Sequence, residues 1–187
     1  MTVEPGHLPQ GEREDLIRTA WYSHDARWYN AVAAECGVQA ANAANRRAIR
    51  QAGAVEARRL HARLGLPPVR SIPEFFAFTK AGRDLFVGPI VEMSLAQRDA
   101  ARYEVEVTRC FAADQIGRAG LADQYECGIF DRIQGWHEGL GLPLAEDVPT
   151  TLCHLANGRR CTRTLRLASP LTAETASPRY TPSTKES

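Results

Sequence analysis

From Glu12 onward the apolar positions of the chain recur at helical spacing. Leu16, Ile17, Ala20, Trp21, His24, Trp28 and Val32 fall one, three and four residues apart, the stripe of a helix of roughly five or six turns. Gly37 is its stop. A second helical stretch over 39–64 sets Ala41, Ala44, Ala48, Ile49, Ala52, Val55 and Leu60 on one face. Its length and small side chains predict close packing on the first helix as a hairpin over 12–64, with the apolar stripes covering one face of a sheet. Gly65-Leu-Pro-Pro ends it, because Pro67 and Pro68 cannot continue a helix. Ser71-Ile-Pro-Glu then reads as an N-cap with a capping-box glutamate at Glu74, opening a third helix through Phe75, Phe76, Phe78 and Leu85.

After Gly88-Pro89 the period changes to two. Val91, Met93 and Leu95 alternate with Ile90, Glu92 and Ser94, and Tyr103, Val105 and Val107 with Glu104, Glu106 and Thr108. These are two half-buried antiparallel strands, the second closing at Cys110. Helical stretches follow over 112–120 and 122–139, the latter carrying Tyr125, Cys127, Asp131, Ile133, Trp136 and His137. Two further strands fit 148–155 and 160–167, joined at Ala156-Asn157-Gly158, a tight hairpin signal. The order predicts an α+β fold, an N-terminal helical hairpin plus further helices packed on an antiparallel sheet of about four strands. Residues 1–11 are punctuated by Pro and Gly and read as a flexible arm, and 12–168 as a single domain. Residues 169–187 are rich in Ser, Thr, Pro and Glu without apolar periodicity, the pattern of a disordered tail.

Composition narrows the partners. With 187 residues, 44% hydrophobic and 24% charged, the chain suits one globular domain. A net charge of +1 leaves no basic footprint for nucleic acid, so the arginines at 46, 47, 50, 58, 59 and 63 read as a solvated helix face. The N-terminus lacks a signal-peptide pattern and no apolar run approaches the ~18 residues of a membrane span, which predicts a cytoplasmic protein with no membrane partner. In that reducing compartment five cysteines serve metal binding, catalysis or the core rather than disulfides. The partner expected is a small-molecule substrate, with room for a homo-oligomer.

Four of the five cysteines fall between Cys110 and Cys161. Cys127 and Asp131, one helical turn apart, would share a face and point into the same cavity as Cys110 and Cys161. Two chemistries fit. In one, a thiolate attacks an electrophilic C=N carbon while Asp131 or His24 handles the proton, which makes Cys127, Asp131, Cys110 and His24 the catalytic candidates. In the other, Cys110, Cys127, Cys161 and His24 supply a tetrahedron of three sulfurs and one nitrogen for zinc or another transition metal. His24 lies on the apolar stripe of the first helix and is expected to face inward. The same thiols also suit small buried hydrophobes, as part of a binding module with an apolar pocket. Cys36 lies outside the cluster, and His137, six residues after Asp131, lies off its helix face.

Two runs carry a resemblance. Trp21-Tyr-Ser-His-Asp-Ala-Arg-Trp28, followed by Gly37 and Glu56-Ala-Arg-Arg-Leu60, is similar to the uncharacterised bacterial branch of the 2-aminothiazoline-4-carboxylate hydrolase-like proteins. Arg109-Cys110, Glu126-Cys127-Gly-Ile-Phe-Asp131 and Asn157-Gly158-Arg-Arg-Cys161 resemble that family's later motif. The resemblance spans roughly 12–167 and implies a hydrolase-like activity on a C–N bond of a small thiazoline-, amidine- or imine-like metabolite, or the reverse ring closure, as a biosynthetic tailoring step. It places Cys110, Cys127, Asp131 and Cys161 in the motif. The chain departs from it in setting His24 inside an aromatic stripe and in carrying Cys153 as an extra thiol.

Overall fold

In a computed structural model that describes residues 8–170, helices α1 (Gln10–Cys36) and α2 (Val38–Leu64) form a hairpin jointed at one residue, Gly37. Its φ of 86° is a backbone conformation that glycine adopts without steric cost. The prolines after Gly65 stop α2, and α3 (Ile72–Gly82) opens where Ser71 accepts the Glu74 N–H at 3.2 Å. The Glu74 carboxylate returns a bond to the Arg70 N–H at 2.6 Å, one residue earlier than a capping box requires. A π turn (Arg83–Val87) and a 3-10 turn (Gly88–Ile90) then lead into strands β1 (Val91–Gln97) and β2 (Arg102–Cys110). Helices α4 (Phe111–Arg118) and α5 (Ile129–Leu140) precede the last strand, β3 (Cys161–Arg166). The sheet is antiparallel in the order β1-β2-β3, with Leu95 opposite Val105 and Val107 opposite Cys161. The fold is α+β. No helix among the described residues is long and apolar enough to cross a membrane.

The most extensive helix contact joins α2 to α5. It is made by small residues, because the two backbones touch. A methyl group on Gly139 would sit 2.5 Å from the Ala54 carbonyl oxygen, one on Gly53 would sit 2.5 Å from that of Arg132, and one on Gly135 would overlap the Arg50 carbonyl. Beside this seam the Glu56 carboxylate takes both arms of the Arg132 guanidinium, at 3.0 and 2.5 Å, and the Trp136 indole N–H at 3.0 Å. On the sheet side Tyr103, Val105 and Val107 of β2 are buried together with Phe75 and Ile133. His137 lies wholly inside this core, its ring stacked 4.2 Å from Phe75. The Leu142 carbonyl 3.1 Å from Nδ1 can only accept, so Nδ1 carries the proton and Nε2 accepts from the Tyr103 hydroxyl at 2.5 Å.

Four expectations are corrected. The sheet has three strands, because residues 148–155 contribute only one bridge, Glu126 to Leu152, and Asn157-Gly158 closes a short 3-10 turn instead of a hairpin. Residues 122–128 are not helical: the Cys127 N–H goes to Thr151 O at 2.9 Å and the Cys153 N–H to Tyr125 O at 3.0 Å, while Asn42 of α2 holds Gln124 and Glu126 through their backbones. Cys127 therefore precedes α5 and does not share a helix with Asp131. Finally, the expected apolar stripe of α1 faces outward: Leu16, Ile17, Trp21, His24 and Trp28 are exposed, and α2 covers α5 instead of the sheet. What α1 turns inward is Tyr29, with Tyr22, Ala26, Val32 and Ala33 half-buried, so Val32 alone of the expected stripe packs on the core. Tyrosine counts as ambivalent in a periodicity reading, yet Tyr29 and Tyr22 bury their rings because their hydroxyls reach Asn42 Oδ1 at 2.7 Å and Phe86 O at 3.2 Å. Gln10 and Gly11 of the expected arm belong to α1. The rest of the arm up to residue 7, and the tail from 171, lie outside the described residues.

Candidate small-molecule site

A cavity of about 110 Å³ lies between α1, α2 and α4. Its walls are aromatic and aliphatic: Tyr22 and Tyr29 from α1, Ile49 from α2, Phe111 and Ile116 from α4, and Tyr125. Ring contacts fix them, Tyr29 edge-on to Tyr125 at 5.2 Å and Tyr22 tilted against Phe111 at 5.7 Å. Five polar side chains, Asp25, Asn30, Asn45, Gln115 and Arg132, join this wall. Arg132 is held from behind by Glu56, which balances its charge, and it donates to the Tyr22 hydroxyl at 3.1 Å. Burial pushes the Tyr22 hydroxyl above its ordinary range, against the Arg132 charge beside it, so it stays protonated.

Asp25 is the unbalanced group. It is half-buried, and burial raises its carboxyl above the usual aspartate range, more than the neighbouring His24 ring lowers it. Among the described residues only that exposed ring, at 3.7 Å, is within ion-pair reach of it. With Arg132 and Glu56 cancelling, an ionised Asp25 leaves the cavity with one negative charge. The site can therefore take a small cation.

The residues singled out from the sequence lie elsewhere. Cys110, Cys153 and Cys161 are buried and Cys127 is half-buried, and Cys110, Cys127 and Cys153 lie around Tyr125. Cys110 closes β2 and Cys161 opens β3. Burial pushes the Cys110 thiol up, and that of Cys161 up to about 11. Cys127 donates toward Cys153, so its own ionisation is pushed well up, while that bond and the N–H groups of Leu155 and Ala156 hold Cys153 down to about 6. Of these four thiols the one held down is thus Cys153, which the motif leaves out. Asp131 is clasped by Arg46 of α2, Nε to Oδ2 at 3.0 Å and Nη2 to Oδ1 at 3.1 Å, and the same guanidinium reaches Glu126 at 3.3 Å. Asp131 is 5% exposed and belongs to this ion pair, away from the α1–α2–α4 cavity. His24 sits on the outer face of α1 with 71% of its side chain exposed. Among the described residues no three His, Cys, Asp or Glu side chains converge to hold a metal, so Cys110, Cys127, Cys161 and His24 do not assemble into the expected tetrahedron.

The pocket residues carried a signal that apolar periodicity passes over. Tyr22, Asp25 and Tyr29 stand three and four apart, a second stripe on α1 beside that of the tryptophans, and Asn45 with Ile49 repeats the spacing on α2. No curated protein and no solved structure matches the chain. A family match does cover residues 13–128, a span that takes in α1 to α4 and every wall of the cavity named above except Arg132. By that match the chain belongs to DUF6125, a family of unknown function.

Proposed function

We propose that the chain takes a compact cationic nitrogen ring, a cyclic amidine or imine, into the α1–α2–α4 cavity and works on its C–N bond. The observation that carries this reading is Asp25, a half-buried carboxylate with no guanidinium of its own on the wall of an aromatic cavity. Size supports it: an apolar cavity of ~150 Å³ takes benzene, so about 110 Å³ is on the scale of a single small ring. Tyr22, Tyr29 and Phe111 offer ring faces to a cation, and Asp25 offers its carboxylate to an amidinium edge. Asn45 and Gln115 add hydrogen-bonding partners for ring heteroatoms.

The C–N chemistry rests on the resemblance to the aminothiazoline-carboxylate hydrolase-like proteins. In hydrolysis, water adds to the amidine carbon, Asp25 takes the proton from that water and delivers it to the ring nitrogen, and the C–N bond breaks. The raised Asp25 carboxyl suits a group that must both take and return a proton. Tyr22, its hydroxyl held between Arg132 and the Phe86 carbonyl, keeps its ring fixed against the substrate. The reverse sequence closes the ring. In this reading the cysteines and Asp131 hold the wall in place, and the free thiols suit a reducing compartment such as the cytoplasm. A module that binds the ring without turning it over is the second reading. It is favoured by the commitment of Arg132 to Glu56 and Tyr22, which leaves Asp25 alone to move a proton.

The test is calorimetric titration and product analysis with a panel of thiazolines, imidazolines and cyclic imines on the wild type, Asp25→Asn and Cys127→Ala. Binding of a cationic ring that weakens on the order of 10-fold or more in Asp25→Asn and persists in Cys127→Ala is the expected result. Ring-opened product separates the enzyme from the binding module. Equal binding in the wild type and Asp25→Asn overturns the site.

A further inference from the structure

Among the described residues nothing covers the outer face of α1. Ile17, Trp21, His24, Trp28 and Ala31 stand at alternating spacings of four and three, the 3.5-residue period of a coiled coil, and Glu14 and Glu35 continue the spacing at its ends. Ile17 is 70% exposed, Trp21 59% and Trp28 41%, so the two tryptophans together bare as much surface as one wholly exposed tryptophan. Leu16, 58% exposed, flanks them. A monomer rarely exposes a contiguous apolar patch beyond a few hundred Å². This stripe runs along a helix of 27 residues, and at ~1.5 Å per residue that is a length of roughly 40 Å, enough to lay down the ~800 Å² per partner of a standard interface.

We propose that this face pairs with the same face of a second copy, the two α1 helices running antiparallel about a two-fold axis close to Tyr22 and Ser23. Ile17 then meets the partner's Trp28, and Trp21 meets the partner's His24, so one patch complements itself as an isologous contact must. Charge selects the direction. A parallel pairing stacks Glu14 on the partner's Glu14 and Glu35 on the partner's Glu35 along the seam. The antiparallel pairing sets Glu35 beside the partner's Gln10 and within a helical turn of the partner's Arg13, and both Arg13 and Glu35 are exposed and able to reach. The seam runs beside the cavity: Tyr22 and Tyr29 follow Trp21 and Trp28 about 100° round the helix, while Asp25 and its neighbour His24 stand where the two faces meet, and the pairing itself requires no ligand in the cavity.

Sedimentation and light scattering of the full chain test this. The expected mass is twice 20.6 kDa. Ile17→Glu and Trp21→Glu should give monomers with unchanged far-UV dichroism, since both residues are exposed in a single copy. Arg13→Glu and Glu35→Arg should each raise the dimer dissociation constant several-fold, and the double exchange should restore it. Mild oxidation should leave the exposed Cys36 uncoupled, because antiparallel pairing holds the two Cys36 residues at opposite ends of the seam. A monomer at about 100 µM, a concentration that populates any dimer with micromolar affinity, overturns the proposal. So does a dimer that survives Trp21→Glu, or a monomer that dimerises only when residues 171–187 are removed and the chain's own tail no longer covers the face. A Cys36-linked dimer, or a double exchange that fails to restore assembly, overturns the antiparallel direction.

Discussion

Acidification should unload a defined part of the stability through His137. Its ring is buried against Phe75, Nδ1–H donates to the Leu142 carbonyl and Nε2 accepts from the Tyr103 hydroxyl, so the folded protein holds the neutral imidazole. Burial lowers its pKa from 6.5 to about 4, against the smaller opposing pull of the Leu142 carbonyl. Between those two values the unfolded chain binds a proton that the folded chain does not, so stability falls as pH drops through the window and is fully present above it. A shift of about 2.5 units at ~1.4 kcal/mol each makes roughly 3 kcal/mol lost between pH 7 and pH 4. Acidification also protonates groups other than His137, so the measurement is a difference. Urea unfolding followed by dichroism at several pH values from 7 to 4, on the wild type and His137→Gln, should show the wild type's advantage shrinking by about that amount. The Tyr103 and Phe75 neighbours are common to both proteins, and only the imidazole gains a proton. Stability curves for the two proteins that run parallel from pH 7 to 4 would refute the buried neutral histidine.

Other substitutions probe the framework around the cavity. Gly135→Ala drives a methyl into the Arg50 carbonyl and should cost on the order of 1–3 kcal/mol or more in chemical denaturation. Gly117→Ala, in α4 with open space around it, should instead stabilise by roughly 0.5–1 kcal/mol, and a similar loss at both glycines would deny that helix contact is the cause. Asp131→Asn leaves the Arg46 guanidinium with Glu126 alone and should cost about 3 kcal/mol, the lower end for breaking a buried pair, while ligand binding in the cavity persists. A thiol reagent on the native protein should modify Cys36 quickly and reach Cys110, Cys153 and Cys161 only on unfolding; early reaction at Cys153 would show that its depressed pKa comes with access to solvent.

The parts of the fold that were legible from the chain are those settled within one turn of sequence. Gly37 and Gly65-Leu-Pro-Pro stop their helices, Ser71 caps α3, and alternation marks β1 and β2, all from local backbone chemistry. Residues 122–128 and 148–155 were not legible because their conformation is decided at long range. Asn42 reaches across from α2 to hold the first segment extended, and the bridge from Glu126 to Leu152 spends the backbone groups that a helix or a longer strand would use. The thiol motif misled for a related reason: sequence spacing put Cys127 and Asp131 on one helix face, whereas the structure turns one toward Cys153 and the other toward Arg46.

The inversion of α1 follows a different logic. Its strongest apolar stripe, with Trp21 and Trp28, reads as inward-facing because such surface leaves water. The structure instead buries the tyrosine stripe, whose hydroxyls reach Asn42 Oδ1 and the Phe86 carbonyl and whose Tyr29 ring meets Tyr125 edge-on. Both stripes then demand burial, and the described residues of one chain cover only one of them. An amphipathic pattern states which surfaces must leave water and says nothing of which molecule covers them. Pairing of α1 with a second copy would satisfy both stripes at once, the tyrosines by enclosing a ligand cavity and the tryptophans by closing the seam, and it would make the hydrophobic reading of α1 correct about burial while wrong only about whose side chains provide it.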